Sequence, residues 1–218
     1  MTGRSERQAW AYLSRVAEAP CAELAGLLRQ AGPVEAAERI RRGDVGPALA
    51  QRTGARREVD CAATDLETLH RRGGRLLTPD DDEWPHLAFA SFAGIPLRDK
   101  PQGLPPLALW VMGPLRLDDI AGRAAAIVGT RVATAYGEYV AADLSAGLAE
   151  HDVAIVSGGA YGIDGAAHRA ALAADGATVA VLAGGCDVLY PAGHSALLHR
   201  IATNGLLVTE YPPGVRPA

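Results

Sequence analysis

The chain has 218 residues, of which 49% are hydrophobic, and a formal net charge of −4 at pH 7. This composition allows a folded core and excludes the strongly basic class to which many nucleic-acid-binding domains belong. The charge is uneven, because residues 1–116 carry 16 basic and 15 acidic side chains, whereas residues 117–218 carry 5 and 10. A polyanion bound by the second part must therefore be held by local geometry rather than by a bulk positive field.

Cysteine and histidine patterns predict neither a disulfide framework nor a metal site. The three cysteines are far apart and form no CxxC pair. The histidines form no HExxH motif, and we interpret His194 and His199 as surface or helix-capping residues. The N-terminus lacks a signal-peptide core, and no apolar run reaches the roughly 20 residues that span a bilayer, so we expect a cytoplasmic protein without membrane contact.

Residues 1–75 are predicted to form short helices that end at glycines. The pattern AELAGLLRQAG stops at Gly32, and Pro33 begins a second helix that ends at Gly43. The pattern DLETLHRRGG ends in the same way. Helix pairs with a tight glycine turn resemble the helix-hairpin-helix modules that contact DNA, but most such pairs in small bundles only pack, and we favour packing.

Residues 76–106 are rich in proline, glycine and aspartate, which is typical of a connecting segment. We expect Trp84 and Pro85 to anchor this segment by packing. The acidic run from Asp80 to Glu83 is interpreted as a solvated turn rather than as a metal site.

From residue 107 to residue 218, apolar strands alternate with amphipathic helices. The strands are predicted at LALWVMG, AAAIVGT, VAIVSG, TVAVLAGG and LLVTEY. The helix after AAAIVGT carries Val140, Leu144 and Leu148 on one stripe, which we expect to be buried. Strands that are apolar throughout are typical of a parallel sheet covered on both faces. The fold class is therefore α/β, with a doubly wound parallel sheet whose ligand crevice lies at the carboxyl ends of the strands.

The end of the chain interrupts this pattern. Four strands are counted from residue 123 before YPPGVRPA, whereas doubly wound sheets have about five or six. We expect a sheet that is incomplete at the C-terminus, in either a fragment or an incomplete gene, and therefore a poorly soluble chain.

Three glycine-containing corners follow neighbouring strands and form the candidate site. The first corner is Gly129, Thr130 and Arg131; the second is Ser157, Gly158, Gly159 and Ala160; the third is Gly184 and Gly185. Glycines let backbone N–H groups approach an anion, a helix N-terminus adds a favourable dipole, and an arginine can fork onto a phosphate. The corners therefore predict phosphate binding. Neither GxGxxG nor a P-loop occurs, so no dinucleotide or ATP cofactor is expected.

Five further residues are candidates at or near the corners. Gly162 is expected to support its shape. Asp164 and His168 lie four residues apart on one helix face, where they form either an acid/base pair or a helix cap and a packing contact, and we favour the second interpretation. Tyr136 and Tyr161 are candidates for stacking on bases.

The motifs VGTRVATAYG, SGGAYGIDGAAHRAAL and GGCDVLYPAGHSAL resemble, in this order, the signatures of the DNA-processing protein A (DprA/Smf) family. The resemblance covers residues 123–218, and LLTPDDDEWPHLA and LWVMG fit the preceding segment. It implies a Rossmann-like domain at residues 107–218 that binds single-stranded DNA and a helical, SAM-like domain at residues 1–75. In the family the first two corners lie against the DNA backbone, which implies DNA contacts for the residues of these corners here.

The resemblance also implies partners. Members protect incoming single-stranded DNA and load the RecA recombinase onto it during natural transformation. The family continues with an arginine-rich RNR-type stretch and further strands, where its dimer and RecA contacts largely lie. A homodimer and RecA loading are therefore implied for full-length members and left open for this chain.

An enzyme is the alternative to a binding module. Nucleotide-cleaving phosphoribohydrolases resemble the chain in their glycine-rich corner, but they need a second corner of the type PGGxGTxxE, with a carboxylate for the sugar. The corresponding sequence here is GGCDVLYP, which contains Asp187 but no GTxxE. We therefore favour the binding module, with no catalytic residue and no metal.

Overall fold

A computed structural model of the chain describes residues 3–94 and 103–217. The helices are α1 (Arg4–Val16), α2 (Ala22–Arg42), α3 (Pro47–Thr53), α4 (Ala62–Arg71), α5 (His86–Phe89), α6 (Leu117–Ala121), α7 (Ala135–Ala149), α8 (Ile163–Ala173) and α9 (Ser195–Asn204). The strands are β1 (Gly74–Leu77), β2 (Leu109–Met112), β3 (Ala124–Ala126), β4 (Ala154–Gly158), β5 (Thr178–Val181) and β6 (Leu206–Thr209). Short 3₁₀ helices occupy Ala90–Gly94 and Ala192–His194. No helix in these ranges is both long and apolar enough to span a bilayer.

The first four helices pack as a layer whose apolar residues belong to a core shared with one face of the sheet. Trp10 and Leu13 of α1 and Ile40 of α2 are buried within it. The predicted break in α2 is confirmed, because Gly32 has φ 74° and ψ 172°, a backbone conformation open almost only to glycine. Gly43 ends α2 in the left-handed conformation, as is common for a helix C-terminus.

One sheet contains all six strands, in the order β1-β2-β6-β5-β4-β3. Strands β3 to β6 are mutually parallel, whereas β1 and β2 add antiparallel to the β6 edge. The predicted α/β class with a mainly parallel sheet is confirmed. Because the crossovers from β3 to β6 all step in one direction, right-handed connections put α7, α8 and α9 on one face.

Five of these helices and strands were not predicted: α1, α3, β1, α5 and α6. Strand β1 lies where the connecting segment is predicted to begin, and it pairs with β2. The boundary drawn at residue 75 therefore falls inside a strand, and the division into domains stays a prediction. Residues 95–102 of the predicted connecting segment lie outside the described residues.

The four strands predicted from residue 123 onward form the parallel part of the sheet, and the sheet does not end there, because β2 and β1 extend it at the β6 edge. Within residues 3–94 and 103–217, the outer edge of β3 is the edge of the parallel part that has no partner strand. Strand β3 also differs from the buried strand predicted at AAAIVGT, since it is shorter and Ala124 and Ala126 are exposed. Their exposure follows from the lack of a described element over that edge.

Alternate side chains of the central strands enter cores on the two faces of the sheet. Trp110 and Leu207 contribute to the core shared with the helical layer and α9, whereas Val111 and Val208 contribute to the opposite one. Trp84 is buried in this second core, with its ring 5.2 Å from the ring of Phe89 in an edge-to-face contact. The predicted anchoring role of Trp84 is confirmed.

Helix α7 buries a different face from the predicted one. Leu144 is 52% exposed, and the buried residues of the helix are Ala141, Ser145 and Ala149. These small side chains let α7 approach its neighbours closely. Of the predicted stripe, Leu144 is turned outward, whereas Leu148 packs partly buried against the core.

The acidic run between β1 and α5 is only partly the predicted solvated turn, because Asp80 and Asp82 are exposed whereas Asp81 and Glu83 are not. Asp81 forms an ion pair of 2.7 Å with Arg7 of α1. The carboxylate of Glu83 is buried, pairs with Arg75 and accepts a hydrogen bond from the Leu117 N–H group at 3.0 Å. The turn therefore joins the helical layer to the sheet.

Candidate functional site

The first two corners meet at the carboxyl ends of β3 and β4. Gly162 has φ 71°, and a Cβ atom there would lie 2.8 Å from the Arg131 carbonyl oxygen and closer still to that of Thr130. A Cβ atom on Gly129 would lie 2.7 Å from Cγ1 of Ile163. The Ile163 N–H group donates to the Thr130 carbonyl at 3.3 Å. Glycine at positions 129 and 162 thus lets the first corner contact Gly162 and Ile163, the residues that lead from the second corner into α8.

Unused backbone donors line both corners. Over the described ranges, the N–H groups of residues 129–131 and 159–161 donate to no backbone carbonyl. Thr130 Oγ1 accepts a hydrogen bond of 3.2 Å from the Val132 N–H group, which closes the first corner into a turn. Arg131 is exposed, and the ion pairs within residues 103–217 are those of Arg116 with Asp118 and Asp119. Free N–H groups beside an unpaired guanidinium form a geometry that suits an anion.

The side chain of Ser157 faces away from solvent, and the predicted contact of this residue with DNA stays a prediction. It is buried, and its hydroxyl donates to the Ile127 carbonyl at 2.5 Å. The hydroxyl therefore braces β4 against the chain that follows β3. A Cβ atom on Gly158 would lie 2.6 Å from Oδ2 of Asp164, so glycine is needed there for the carboxylate to approach.

Asp164 is not the cap of α8. The N-cap residue is Gly162, and Asp164 is buried within the first turn, where a carboxylate suits the helix dipole. His168 is fully buried, with Nε2 2.9 Å from the Gly158 carbonyl oxygen and Nδ1 2.7 Å from the Thr178 hydroxyl.

Burial lowers the pKa of His168 below its ordinary value of 6.5, so the ring is neutral at pH 7. Because a carbonyl only accepts hydrogen bonds, Nε2 of the neutral ring carries the proton and donates to Gly158. Nδ1 contacts the Thr178 hydroxyl, which is also 3.0 Å from the Ile155 carbonyl oxygen. His168 therefore holds the second corner in place, and the geometry supports the packing interpretation rather than the acid/base one.

The third corner is closed by the chain itself. The Gly185 N–H group donates to the Val215 carbonyl at 2.9 Å. A Cβ atom on Gly184 would lie 2.7 Å from Cδ of Pro217. Both glycines are buried under residues 212–217, so the open cradle predicted at this corner is absent from the described structure.

His194, interpreted above as a surface or capping residue, occupies the N-cap position of α9, but it is not on the surface and its side chain contacts the second corner. It is buried, its Nδ1 lies 3.2 Å from the Gly159 carbonyl oxygen, and its ring makes an edge-to-face contact with Tyr161 at 4.6 Å. The Tyr161 hydroxyl accepts a hydrogen bond from the Gly193 N–H group. Tyr161 is 45% exposed and Tyr136, on α7, is 75% exposed. The motif YPAGHSAL, which follows the third strand, was the sequence signal for His194.

The cysteines and histidines form no metal site in the described part of the chain. Cys21, Cys61 and Cys186 are all free thiols. Burial raises the pKa of Cys186 to about 12, so this thiol stays protonated and unreactive at pH 7.

Comparison with known proteins shows the family to which the chain belongs. Residues 75–218 match the family DNA recombination-mediator protein A. A DNA processing protein DprA of Mycobacterium tuberculosis is 74% identical over 211 residues, which are 97% of this chain and 54% of that protein. A DNA processing protein DprA of Bacillus subtilis is 40% identical over 113 residues, 52% of this chain and 38% of that protein. The chain thus spans about half the length of its Mycobacterium relative.

A solved structure supports the fold. The crystal structure of DNA processing protein A from Streptococcus pneumoniae superimposes with a TM-score of 0.69 at 24% identity, over 100% of this chain and 71% of that one. The parallel sheet and its glycine-rich corners define a Rossmann-like domain of the DNA-processing class. The chain belongs to the DNA recombination-mediator protein A family, also called DprA or Smf.

Proposed function

We propose that the chain binds single-stranded DNA by holding its phosphates at the first two corners. The observation that carries the proposal is the contact of the first corner with Gly162 and Ile163, which gathers unused N–H donors beside the unpaired Arg131. The net charge of −4 gives no bulk attraction, so local donors must supply the affinity. Membership of a DNA-processing family favours a nucleic acid as the source of the phosphates.

Exposed tyrosines favour a single strand over a duplex. Tyr136, Tyr161 and Tyr190 are 75%, 45% and 57% exposed. Bases of a single strand are free to stack on such rings, which contributes roughly 1–3 kcal/mol per base, whereas the bases of a duplex are stacked on one another. Phosphate contacts and stacking are both tolerant of sequence, so little sequence preference is expected.

A competition experiment tests this proposal. A fluorescent oligo-dT bound to the 218-residue chain is displaced by unlabelled oligo-dT, by mixed-sequence single strands and by a duplex of equal length. We expect both single strands to compete alike and the duplex to compete at least tenfold more weakly. Equal or tighter binding of the duplex would contradict the proposal.

We further propose that the site binds without breaking a bond. His168 is committed to Gly158 and Thr178, and Asp164 is buried beside Gly158, so neither is presented to a ligand as an acid or a base. The phosphoribohydrolase alternative predicts that nucleoside monophosphates release free base. Incubation with each of these nucleotides, followed by chromatography, should show no base, and its release would reverse this conclusion.

For the whole protein we propose protection of incoming single-stranded DNA, help in loading RecA and pairing of two copies. These activities rest on family membership, and the chain spans 54% of its Mycobacterium relative. Nuclease protection, RecA filament growth and sedimentation of the full-length relative beside the 218-residue chain test them separately. Failure of the full-length relative in an assay would remove that activity from the proposal.

A further inference from the structure

A second unpaired arginine lies next to the second corner. Arg169 of α8 is exposed, and it takes part in none of the ion pairs found within residues 103–217. An exposed guanidinium with no carboxylate partner is available to a ligand.

The guanidinium of Arg169 occupies space that a glycine leaves open. A Cβ atom on Gly165 would lie 3.0 Å from Nη1 of Arg169, 2.5 Å from Cε1 of His194 and 3.0 Å from its Nε2. Glycine inside a helix costs about 0.5–1 kcal/mol relative to alanine. Glycine at position 165 therefore lowers helix stability. The space that its missing side chain leaves is filled by the Arg169 guanidinium and the buried His194 ring.

The location of this space connects it to the second corner. Long side chains on a helix lean toward its N-terminus, and Nη1 of Arg169 lies over Gly165, in the first turn of α8. His194 contacts Gly159 through Nδ1. Since the Gly159 carbonyl only accepts, Nδ1 donates, and Nε2 of His194 lies on the side of Arg169.

The two arginines bracket the second corner. Arg131 follows β3, and His194, which stands beside Arg169, follows β5. Strand β4, which ends in the second corner, lies between β3 and β5 in the sheet. The exposed ring of Tyr161 packs against His194 in this row.

We propose that Arg169, positioned by Gly165 and His194, binds a second phosphate of the same single strand, and that the strand runs from Arg131 across the second corner toward Tyr161. This inference rests on the proposed function and deepens it, because it gives the strand a path and a direction across the sheet edge. A free phosphate or a mononucleotide offers the same chemistry, so the experiment includes both.

The test is the salt dependence of oligo-dT binding by Arg169→Gln. Each phosphate contact on a single strand contributes about 0.7 to the log–log slope, which equals about fivefold in affinity at 0.1 M salt relative to 1 M. We expect Arg169→Gln to lower the slope by about 0.7 and to bind about fivefold more weakly at 0.1 M salt. The matched control is Arg123→Gln, an exposed arginine at the opposite, amino end of β3 with no ion pair in the described residues.

Gly165→Ala is the second variant, because the new methyl group must displace His194 and Arg169. We expect the same loss of slope with Arg169 still present, while far-UV circular dichroism verifies that the chain is folded. If Gly165→Ala does not fold, Arg169→Gln alone decides the question.

Three outcomes would overturn the inference or its basis. Unchanged slope and affinity for Arg169→Gln, with Arg131→Gln weakened, would remove Arg169 and leave the proposed function standing. Absence of oligo-dT binding by the unmodified chain would remove the proposed function itself. Inorganic phosphate or dTMP could displace the labelled oligo-dT as effectively as unlabelled oligo-dT does. If this displacement were lost in Arg169→Gln, the site would be assigned to a small anion instead of a strand.

Discussion

Arg131 stands beside the unused N–H groups of the first corner, with no carboxylate in ion-pair contact among the described residues. Its role is therefore either to bind phosphate or to brace the loop through contacts that form without a ligand. The two roles differ in what a substitution changes. If Arg131 binds phosphate, its substitution lowers the affinity for the ligand. If Arg131 braces the loop, its substitution lowers the stability of the free protein.

We expect Arg131→Gln to weaken oligo-dT binding about fivefold at 0.1 M salt and to lower the log–log salt slope by about 0.7. The melting temperature should stay unchanged, because an exposed, unpaired side chain contributes little to stability. Fluorescence anisotropy at several salt concentrations, beside a melting curve, measures both. A lower melting temperature with an unchanged slope would assign Arg131 to bracing.

Because His168 is buried, we expect the stability of the folded chain to depend on pH. Its pKa in the folded chain is lowered by burial from 6.5, so the unfolded chain binds the proton more readily. The contribution of His168 is present above pH 6.5 and is lost as the pH falls through the folded pKa, with a slope of up to about 1.4 kcal/mol per pH unit.

Substitution by glutamine isolates this effect. The amide of His168→Gln can donate to the Gly158 carbonyl and does not titrate, so the difference in unfolding free energy between the two proteins should shrink as the pH falls below 6.5. Denaturant unfolding between pH 5 and pH 8 measures it. A difference that stays constant over this range would show that His168 is accessible to protons in the folded chain.

At the scale of elements, α2 contains one glycine with a strict backbone requirement. Gly32 has φ 74° and ψ 172°, and a Cβ atom there would meet no other atom within 4 Å. Any cost of Gly32→Ala is therefore conformational. We expect this substitution to destabilise the chain by roughly 1–3 kcal/mol, measured by denaturant unfolding.

Gly147 is the matched control for Gly32. It lies inside α7, and a Cβ atom there would also meet nothing within 4 Å. Gly147→Ala should stabilise the chain by about 0.5–1 kcal/mol, because alanine favours the helix. If both substitutions changed stability with the same sign, backbone conformation would not be the cause of either effect.

The elements that sequence patterns predicted are those that depend on short-range signals. The alternation of apolar strands and helices from residue 123 onward, and the stop at Gly32, are properties of neighbouring residues. Strand β1 was missed because its four residues become a strand through pairing with β2, more than 30 positions later. The prediction of the buried face of α7 was wrong because leucine was expected to face inward, whereas close packing between helices favours small residues.

The same distinction applies to the candidate site. The first two corners were predicted because their glycines and Arg131 lie within single motifs. The third corner was predicted open, but it is closed by Val215, 30 residues beyond Gly185. His194 and Arg169 meet over Gly165 only in the folded chain, and spacing along the sequence does not report such contacts.

For the whole molecule, the junction between the helical layer and the sheet contains a buried ionic contact. Burial alone would raise the pKa of Asp81, but hydrogen bonds from Arg7 and Thr78 outweigh it and hold the pKa below its ordinary value of 3.8. Because the folded pKa is the lower one, this contribution is present above pH 3.8 and is lost as the pH falls further.

We expect Asp81→Asn to lower the unfolding free energy by roughly 1–3 kcal/mol at pH 7, because it leaves Arg7 without its charge partner. The deficit relative to the unmodified chain should decrease below pH 3.8, where Asp81 itself becomes protonated. Asp82→Asn, one residue further along the same turn, is the control and should cost less than 0.5 kcal/mol. A deficit that is independent of pH would exclude the ionic contact as its cause.

Residues 212–217 connect the third corner to the helical layer, since Val215 accepts from Gly185 and the Pro213 carbonyl accepts from Arg15 of α1 at 2.7 Å. The segment therefore competes with any anion for the Gly185 N–H group, and because it is part of the same chain its effective concentration at the corner is high. An anion that reached Gly185 would have to displace it and, with it, the contact with α1. A ligand that binds the helical layer only when this segment is released would therefore raise the affinity of the third corner for anions. By thermodynamic reciprocity, an anion bound there would raise the affinity of that ligand by the same factor.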